Sequence, residues 1–402
     1  MAQDDAAVIT PQQEAVVYLD HAATTPADPQ VVATMTRVLE DTDSFGNPAS
    51  IHVAGRRARA IVETARRQLG DLLHTEPSNL IWTSGATESV NLAIAGAARL
   101  RAHRGRHLIT MPTEHKAVTD TFAALQRAGF DVTWLAPDRD GLLRIEDLEA
   151  AFRDDTQLVS VMHVNNETGV VQDICTLGDR CRRRGVLLHC DAAQSVGKLP
   201  IDLSSWPVDL MSMTAHKFHG PQGIGALYLA PRADCQIEPL LQGGGQERRL
   251  RPGTLPVHQI AGMGTAAVLA ALCMDDDLAH FEMLNERLWA GLREIPGVTR
   301  NGRKEHAFPG ILNVSVEGIE GESLMLALEP LCVASGSACN SRSGESSYVL
   351  RALGLSDALA QSAIRFSFGR DTPIGDVATA IRCYTSAVRH LRGIMPVPAS
   401  AA

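Results

Sequence analysis

The stretch "LVSVMHVNNETGVVQDICTLGDRCRRRGVLLHCD", residues 158–191, contains the pattern that decides the fold. An apolar run, 158–164, opens the stretch, and a second one, 186–191, closes it. A segment of helix length, 174–184, lies between the two runs. Short apolar runs of this kind are typical of strands that are buried on both faces. A strand, a helix and a second strand in this order predict two parallel strands joined by a helical crossover.

The same alternation continues on both sides of this stretch. Further strand candidates are "NLIWTS" (79–84), "HLITMP" (107–112), "DVTWLAP" (131–137), "DLMSMTA" (209–215) and "GALYLA" (225–230). Segments of helix length lie between them, for example 116–129 and 144–153. We therefore predict an α/β fold in which helices cover both faces of a mostly parallel sheet.

The character of the sequence changes near residue 274. A long helical stretch, one helix or two, surrounds this point, and short strand candidates mixed with helices follow it, as in "ILNVSV" (311–316). A chain of 402 residues is also too long for one ordinary hydrophobic core. We predict a large domain, 27–274, and a smaller α+β domain made of 1–26 and 275–402.

Composition and charge narrow the function classes. The net charge of −9 and the absence of any basic run longer than 182–184 argue against a nucleic-acid-binding surface. No apolar run approaches the roughly 20 residues that span a bilayer, so we expect no membrane partner. Asp4 and Asp5 at the start of the chain do not fit a targeting peptide. The eight cysteines are scattered and form no C-x-x-C pair, so the sequence predicts neither a disulfide framework nor a metal site. Cysteines of this kind indicate a reducing compartment, and we therefore expect a cytoplasmic location.

Four polar features follow predicted strands, where open α/β sheets bind ligands. In "TSGATES" (83–89), free N–H groups at a helix start, with Thr87, could hold a phosphate. In "TEHKAV" (113–118), His115 could stack on a ring or move protons. The structural alternative for the first feature is a helix cap, which is the more frequent role of Ser and Thr before a helix, and the alternative for His115 is a histidine at a helix start.

The other two features carry an acid and an amine. Asp191 ends the apolar strand of "HCDAAQ" (189–194), where a carboxylate could pair with a protonated ring nitrogen or merely cap a helix. Lys217 comes straight after a predicted strand in "TAHKFHGPQGIGALYL" (214–229). A lysine in this setting could act as a Schiff-base amine, and a surface lysine is its alternative.

A fifth feature is the thiol of Cys339 in "VASGSACNSRSGES", residues 333–346. Structural cysteines usually have apolar neighbours, whereas this one lies among small polar residues that predict an exposed loop. From this stretch alone, a reactive thiol and an incidental loop cysteine are equally good interpretations.

Together, a phosphate-binding turn, a histidine, a strand-end Asp and a strand-end Lys follow the order used by pyridoxal-phosphate enzymes. The chain resembles the cysteine desulfurases of the IscS/NifS type, a class-V aminotransferase-like group, from about residue 16 to about residue 392. The motifs that carry the resemblance are "YLDHAATTP", "FGNPAS", "TSGATES", "TEHKAV", "MHVNNETGVVQDI", "DAAQSVGKLPIDL", "HKFHGPQGIGALY", "GGGQERRLRPGTLPVHQIAGMG" and "ASGSAC…SYVLRALG…SAIRFSFGR".

The resemblance implies a type I aminotransferase-like fold and a set of residues around pyridoxal 5'-phosphate. Lys217 would form the Schiff base, Asp191 would pair with the pyridine nitrogen, and His115 would stack on the ring. The remaining cofactor contacts would come from Gln194 at the ring oxygen, from Asn166, from Ala86, Thr87, Thr214 and His216 around the phosphate, and from Thr254 of the second subunit of a homodimer.

The resemblance also implies how the reaction proceeds. Asn166 and Arg365 would hold the carboxylate of L-cysteine, because the planar fork of arginine grips a carboxylate through two hydrogen bonds. Lys217 would remove the Cα proton, and His115 would exchange protons near the thiols. Cys339, in the loop of about 333–347, would take the sulfur as a persulfide and leave L-alanine.

The sulfur acceptor and the exact reaction remain open at this level. The chain ends at "LRGIMPVPASAA", without the acidic and aromatic tail that IscS proteins use to dock an iron–sulfur scaffold, so a tRNA-thiolation carrier is an alternative acceptor. Transamination of a small amino acid and selenocysteine lysis are rival reactions on the same cofactor. A catalytically inactive assembly platform is a rival of another class, disfavoured because Lys217, His115, Asp191 and Cys339 are all present.

Overall fold

The computed structural model describes residues 16–335 and 346–394, within which the chain forms strands and helices in the following order. The strands are β1 (Val17–Tyr18), β2 (Leu80–Thr83), β3 (His107–Thr110), β4 (Asp131–Trp134), β5 (Thr156–Met162), β6 (Leu187–Asp191), β7 (Leu210–Thr214), β8 (Gly225–Leu229), β9 (Val298–Arg300), β10 (Ile311–Val316), β11 (Leu331–Cys332), β12 (Ala334–Ser335) and β13 (Ile364–Ser367). The helices are α1 (Pro29–Glu40), α2 (Val53–Leu73), α3 (Ala86–Leu100), α4 (Lys116–Arg127), α5 (Ile145–Ala151), α6 (Ile174–Arg183), α7 (Val257–Leu292), α8 (Gly321–Ala327), α9 (Tyr348–Ala352), α10 (Asp357–Gln361) and α11 (Ile374–Ile394).

Seven strands form the central sheet in the order β2-β8-β7-β6-β5-β3-β4. Strand β8 runs antiparallel to both of its neighbours, and the other pairs are parallel. The prediction of a mostly parallel sheet is therefore confirmed. The connection over residues 215–224 explains the reversal of β8, because a parallel return needs a crossover of about a dozen or more residues.

The apolar runs that predicted these strands are buried on both faces. Every residue of β2, β3, β5, β6 and β7 is buried. Helix α3 packs against β7 and β8, while α1 and α2 pack on α7. The resulting hydrophobic cluster contains side chains from the sheet and from its surrounding helices, with Trp82 and Phe122 among the largest fully buried ones.

A second hydrophobic cluster lies under a smaller sheet. Its four strands are antiparallel and run in the order β12-β13-β10-β9, and α11 and the end of α7 contribute to the same cluster. The short strand β1 pairs in parallel with β11 and so brings the start of the described chain to this side, where Val17 and Leu19 are buried.

Helix α7 is one continuous helix of 36 residues and contributes to both clusters. Ile260 and Met263 belong to the first cluster, and Phe281 and Leu288 belong to the second. By length and composition α7 could cross a membrane, but one such helix is weak evidence, because helices in the cores of soluble proteins pass the same test. The division of the chain into domains near residue 274 stays a prediction.

Candidate functional site

The predicted site residues meet at one edge of the central sheet. Strands β2, β3, β6 and β7 all end at this edge, and the loops that follow them enclose a cavity of about 620 Å³. The predicted residues that line the cavity are Ala86, Thr87, His115, Asn166, Asp191, Gln194, Thr214, His216, Lys217 and Arg365. Thr254 is exposed in the loop before α7 and does not line this cavity. Cys339 lies outside the described residues.

The start of α3 forms one wall of the cavity. Gly85 precedes the helix and has a backbone φ of 153°, a value that residues with a Cβ atom rarely adopt. The N–H groups in the first turn of a helix have no hydrogen-bond partner within the helix. In α3 these groups include those of Ala86, Thr87 and Glu88, which line the cavity. Glu88 accepts from the N–H of Ser84 at 2.7 Å and pairs with Arg251 at 2.9 Å, which fixes the turn. The arrangement can bind an anion at this wall.

Lys217 ends a short 3-10 turn, Ala215–Lys217, directly after β7. Its ammonium donates to the main-chain carbonyls of Ala22 and Ala23, the latter at 2.6 Å. Thr25 N–H also donates to the carbonyl of His216 at 2.9 Å. The chain before α1 therefore folds over the lysine and closes this side of the cavity.

Asp191 is the last residue of β6, and its carboxylate is buried. Its Oδ1 accepts from the N–H of Ala193 at 3.0 Å. Gln194, one turn further on, donates from Nε2 to the carbonyl of Ala22 at 2.7 Å and accepts at Oε1 from the Lys198 ammonium at 3.1 Å. These bonds fix the orientation of the Gln194 amide, which lines the same cavity as Asp191.

His115 occupies the N-cap position of α4. Its Nδ1 accepts from the N–H of Ala117 at 3.1 Å, so a neutral ring carries its proton on Nε2. Both interpretations made from the sequence apply here, since the imidazole caps the helix and also lines the cavity. The Nε2 atom is the one left for proton exchange with a ligand.

Burial dominates the electrostatics of these groups. Burial raises the pKa of Asp191, although the positive charge of Lys217 and the nearby His115 oppose the shift. Burial lowers the pKa of His115, helped by the charge of Lys217 and opposed by Asp191. The pKa of His216 falls to about 4, first through burial and then through Lys217 and Lys198. Two imidazoles that are neutral at pH 7, those of His115 and His216, thus line the same cavity as the buried carboxyl group of Asp191.

Arg365, on β13, closes the cavity from the side of the smaller sheet. Its Nη1 donates to the carbonyl of Asn166 at 2.8 Å, and its Nη2 donates to Oδ1 of Asp20 at 2.7 Å. Two buried polar atoms here, Nε of Arg365 and Oδ1 of Asn166, have no hydrogen-bond partner within 16–335 and 346–394. A guanidinium nitrogen in this state is suited to a ligand that carries a carboxylate, and the amide oxygen is suited to a ligand that donates an N–H or O–H group.

The interpretation of the sequence missed the role of the segment before α1. Asp20, Ala22 and Ala23 contact Arg365, Gln194 and Lys217, as described above. The stretch "YLDHAATTP" was recognised as a motif, but nothing in its local pattern indicates partners 172 to 345 positions away. A charged residue directly after a short apolar strand is the signal that could have identified Asp20.

No group of three or more His, Cys, Asp or Glu side chains placed to hold a metal ion occurs within 16–335 and 346–394. The seven cysteines in these ranges are free. Burial raises the pKa of the Cys181 thiol, and it raises that of Cys235 to about 12, so both are protonated at pH 7.

Comparison with known proteins gives the same family by sequence and by structure. The model of the aminotransferase class-V family matches residues 17–379. Cysteine desulfurase IscS of Enterobacter sp. (strain 638) is 53% identical over 382 residues, which cover 95% of each chain. A solved NifS-like protein is 34% identical and superposes with a TM-score of 0.87 over 94% of this chain and 100% of its own. A solved structure titled SspA in complex with cysteine is 36% identical, with a TM-score of 0.77 over 87% of this chain and 98% of its own.

The family match spans far more than half of the chain, and the desulfurase relative covers nearly all of it. The solved relatives share the fold described above at TM-scores well over 0.5. The chain therefore belongs to the aminotransferase class-V family and, within it, to the cysteine desulfurases.

Proposed function

We propose that the cavity binds pyridoxal 5'-phosphate and L-cysteine, and that Cys339 accepts the sulfur. The observation that carries this proposal is the arrangement of an amine, a buried carboxyl group and a guanidinium around one cavity, from Lys217, Asp191 and Arg365. A volume of about 620 Å³ is in the range of cofactor and small-ligand pockets.

The residues present fit the cofactor. A buried carboxylate such as Asp191 needs a cation, and a protonated ring nitrogen would supply it. The wall formed by Ala86 and Thr87 at the start of α3, together with Thr214 and His216, which line the same cavity, offers donors for a phosphate. Lys217 reaches into the same cavity with a primary amine, the group that binds an aldehyde. When bound, the cofactor would stabilise negative charge at the Cα of an amino acid.

The same residues can bind and orient the substrate. Arg365 would hold the carboxylate of L-cysteine through Nε, with the amide of Asn166 beside it. Lys217 Nζ would then take the Cα proton, and His115 Nε2 would exchange a proton with a thiol. The solved structure titled as a complex with cysteine supports this choice of substrate, since it shares the fold.

The sulfur transfer balances without an external oxidant. The thiolate of Cys339 forms an S–S bond with the substrate sulfur while the Cβ–S bond breaks. The bonding pair stays on Cβ, which takes up a proton, so that carbon is reduced and the two sulfurs are oxidised. L-cysteine and one enzyme thiol thus give L-alanine and one enzyme persulfide, which a sulfur-accepting protein later removes.

The test measures alanine and sulfide release from L-cysteine in the presence of a thiol reductant. We expect Cys339→Ala to keep the absorbance of the cofactor and to form neither product. Cys332→Ala is the matched control, because it removes a thiol seven positions earlier, on β11, and should keep the parent activity. If Cys339→Ala is as active as the parent, Cys339 is not the acceptor and the protein is a lyase or an aminotransferase on the same fold.

Three further assignments belong to this proposal. The enzyme works as a homodimer in which Thr254 reaches the cavity of the second subunit, and the exposed apolar side chains of Phe45 and Ile51 support such an interface. It works in the cytoplasm, in keeping with its free cysteines. Its acceptor is an iron–sulfur scaffold or a tRNA-thiolation carrier. Sedimentation of the parent protein and of Phe45→Glu tests the dimer.

A further inference from the structure

Lys198 lies seven residues after Asp191, in the loop that follows β6, and no step of the proposed reaction uses it. Its ammonium donates to Oε1 of Gln194 at 3.1 Å and lies 5.8 Å from the centre of the Phe308 ring. Among the described residues, Gln194 lines the cavity and Lys198 does not. Lys198 is therefore placed one side chain away from the predicted cofactor site.

The two neighbours of the Gln194 amide determine which of its two ends faces which neighbour. An ammonium group has only donors, so the amide atom beside Lys198 must be the oxygen. A carbonyl has only acceptors, so the amide atom that lies 2.7 Å from the Ala22 oxygen must be the nitrogen. The reversed amide would bring two acceptors together at Ala22 and donors together at Lys198. The orientation of Gln194 thus follows from the chemistry of its partners.

In this orientation the Gln194 amide nitrogen keeps one hydrogen for a ligand. Nε2 carries two hydrogens, of which the Ala22 carbonyl accepts one. The same carbonyl oxygen also accepts from the Lys217 ammonium, and Ala22, Gln194 and Lys217 all line the cavity. A second N–H of Gln194 is therefore present close to the amine that would bind the aldehyde of the cofactor.

The surroundings of Lys198 are unfavourable for a cation. Burial, followed by the positive charges of Lys217 and Arg365, lowers the pKa of Lys198 to about 7. An amine keeps N–H donors in both its charged and its neutral form, so the contact with Gln194 is possible in either. Burial also lowers the pKa of three nearby imidazoles, and the charge of Lys198 adds to this shift in His21, His216 and His219. The hydrogen bond to Gln194 is a favourable contact that offsets part of this cost.

We propose that Lys198 is a positioning residue that holds the Gln194 amide so that its Nε2–H donates to the ring oxygen of the cofactor. This oxygen is phenolic, and a donor favours its deprotonated form, whereas an acceptor favours its protonated form. The inference rests on the proposed function, because it takes the cavity as the cofactor site. It adds a residue, Lys198, that touches neither cofactor nor substrate.

The test is a spectroscopic pH titration of the holoenzyme without substrate. The absorbance of the bound cofactor changes with its protonation, and the midpoint pH of this change depends on the hydrogen bond at the ring oxygen. An oxygen without its donor is more basic, so it retains the neighbouring proton to higher pH. We expect Lys198→Met to raise the midpoint by about 0.5–1 pH unit, the size of shift that one weakened hydrogen bond produces.

A second pair of variants distinguishes positioning from charge, because loss of the Lys198 charge could also raise the midpoint through space. In a Gln194→Leu background there is no amide to orient. If Lys198 acts through Gln194, the shift caused by Lys198→Met should fall in this background to less than about a third of that in the parent. A charge effect would give the same shift in both backgrounds.

Lys304→Met is the matched control, since it removes the same charge from an exposed pair, in which Lys304 contacts Glu286 at 2.8 Å. Its midpoint should equal that of the parent. Burying a methionine costs less than burying a charge, so we expect Lys198→Met to fold. If it does not, Lys198→Gln, which is shorter and uncharged, should raise the midpoint in the same direction.

Three outcomes would overturn the inference. They are an unchanged midpoint in Lys198→Met, an equal shift with and without Gln194, and a shift of the same size in Lys304→Met. Failure of the proposed function would look different, because the parent would then show no absorbance of a bound cofactor to titrate.

Discussion

The guanidinium of Arg365 donates to the carboxylate of Asp20 at 2.7 Å, although 345 positions separate the two residues. The same guanidinium donates to the carbonyl of Asn166, so two of its nitrogens are occupied by the protein. Arg365 is therefore oriented before any ligand arrives, and its buried Nε, which has no partner within 16–335 and 346–394, can still donate to a ligand. Orientation in advance reduces the entropy cost of binding.

The first prediction concerns this pair. Asp20→Asn keeps the shape of the side chain but removes its charge, so the bond to Arg365 weakens and the guanidinium becomes less well ordered. We expect the KM for L-cysteine to rise about threefold to tenfold with a smaller change in kcat, because binding of the carboxylate is affected more than the chemistry. Steady-state kinetics of alanine formation measure this.

Asp28→Asn is the control for the Asp20 variant. Asp28 pairs with Arg370 at 3.4 Å, an ion pair that does not line the cavity. The Asp28→Asn variant should have the same KM for L-cysteine as the parent enzyme. A KM in Asp20→Asn equal to that of the parent would contradict the assignment of Arg365 as the carboxylate site.

The second prediction concerns Asp191. Asp191→Asn removes the buried carboxyl group that we place against the ring nitrogen, so we expect weaker retention of the cofactor and a loss of alanine formation of about 100-fold or more. Absorbance of the dialysed protein and a single-turnover assay measure the two effects.

Asp209→Asn is the matched control for Asp191. Asp209 is a buried carboxylate that accepts from Leu188 N–H at 2.9 Å and pairs with Arg232 at 2.7 Å, away from the cavity. We expect this variant to lose stability but to retain its cofactor. Equal retention in Asp191→Asn and in the parent would argue against the proposed contact.

The third prediction concerns a buried ion pair outside the site. Arg66 and Glu247 form two hydrogen bonds at 2.8 Å, with side chains only 9% and 5% exposed, and Glu247 also accepts from Trp82 N–H at 2.7 Å. Glu247→Ala leaves the buried Arg66 charge with only Glu63 and the carbonyl of Leu80 as partners, so we expect it to lower the free energy of unfolding by about 3 kcal/mol, the lower end of the range for a broken buried ion pair. Urea unfolding measures the loss.

The exposed pair of Arg293 and Glu294 provides the comparison. Glu294→Ala should change the free energy of unfolding by less than about 1 kcal/mol, as exposed ion pairs contribute little. Similar losses in both variants would mean that the buried pair contributes no more than an exposed one.

The fourth prediction concerns stability at low pH. Burial lowers the pKa of His163 to about 4 and that of His189 to about 3, so both rings are neutral in the folded protein. The unfolded chain binds these protons near pH 6.5, which means that stability is fully present above this pH and falls as the pH drops towards 4. Each ring contributes a slope of at most about 1.4 kcal/mol per pH unit.

Urea titrations between pH 7 and pH 4.5 measure this slope. His163→Gln should make it shallower, because one buried titrating group is removed. His103→Gln, at an exposed position, should leave it unchanged. A slope that is the same in all three proteins would contradict the assignment of His163 as a buried neutral ring.

The central sheet could be predicted from the sequence because its strands are buried on both faces. A strand buried on both faces has no exposed face for polar residues, so its sequence is a continuous apolar run, as in 158–164. Such a run clearly indicates a central strand. The reversal of β8 was not predicted, since its sequence, "GALYL", carries no information on direction. Its direction depends on the length of the loop that precedes it.

The part of the site that lies at the ends of strands could be predicted from the sequence. Asp191 and Lys217 each come at or just after the end of an apolar run, so their position in the fold follows from local pattern. The contacts of Lys217 with Ala22 and Ala23, and that of Glu167 with Ser347, join distant parts of the chain. Tertiary contacts of this kind depend on packing, and no local pattern reveals them.

Helix α7 has a consequence for how the protein unfolds. One unbroken helix contributes Ile260 to one hydrophobic cluster and Leu288 to the other. Local unfolding of either cluster therefore exposes part of the helix on which the packing of the other cluster depends. The two clusters should therefore unfold together, in one cooperative transition. Amide hydrogens along the middle of this helix should then exchange with solvent only in the globally unfolded state. We therefore expect these two hydrophobic clusters, joined by one helix, to unfold as a single unit.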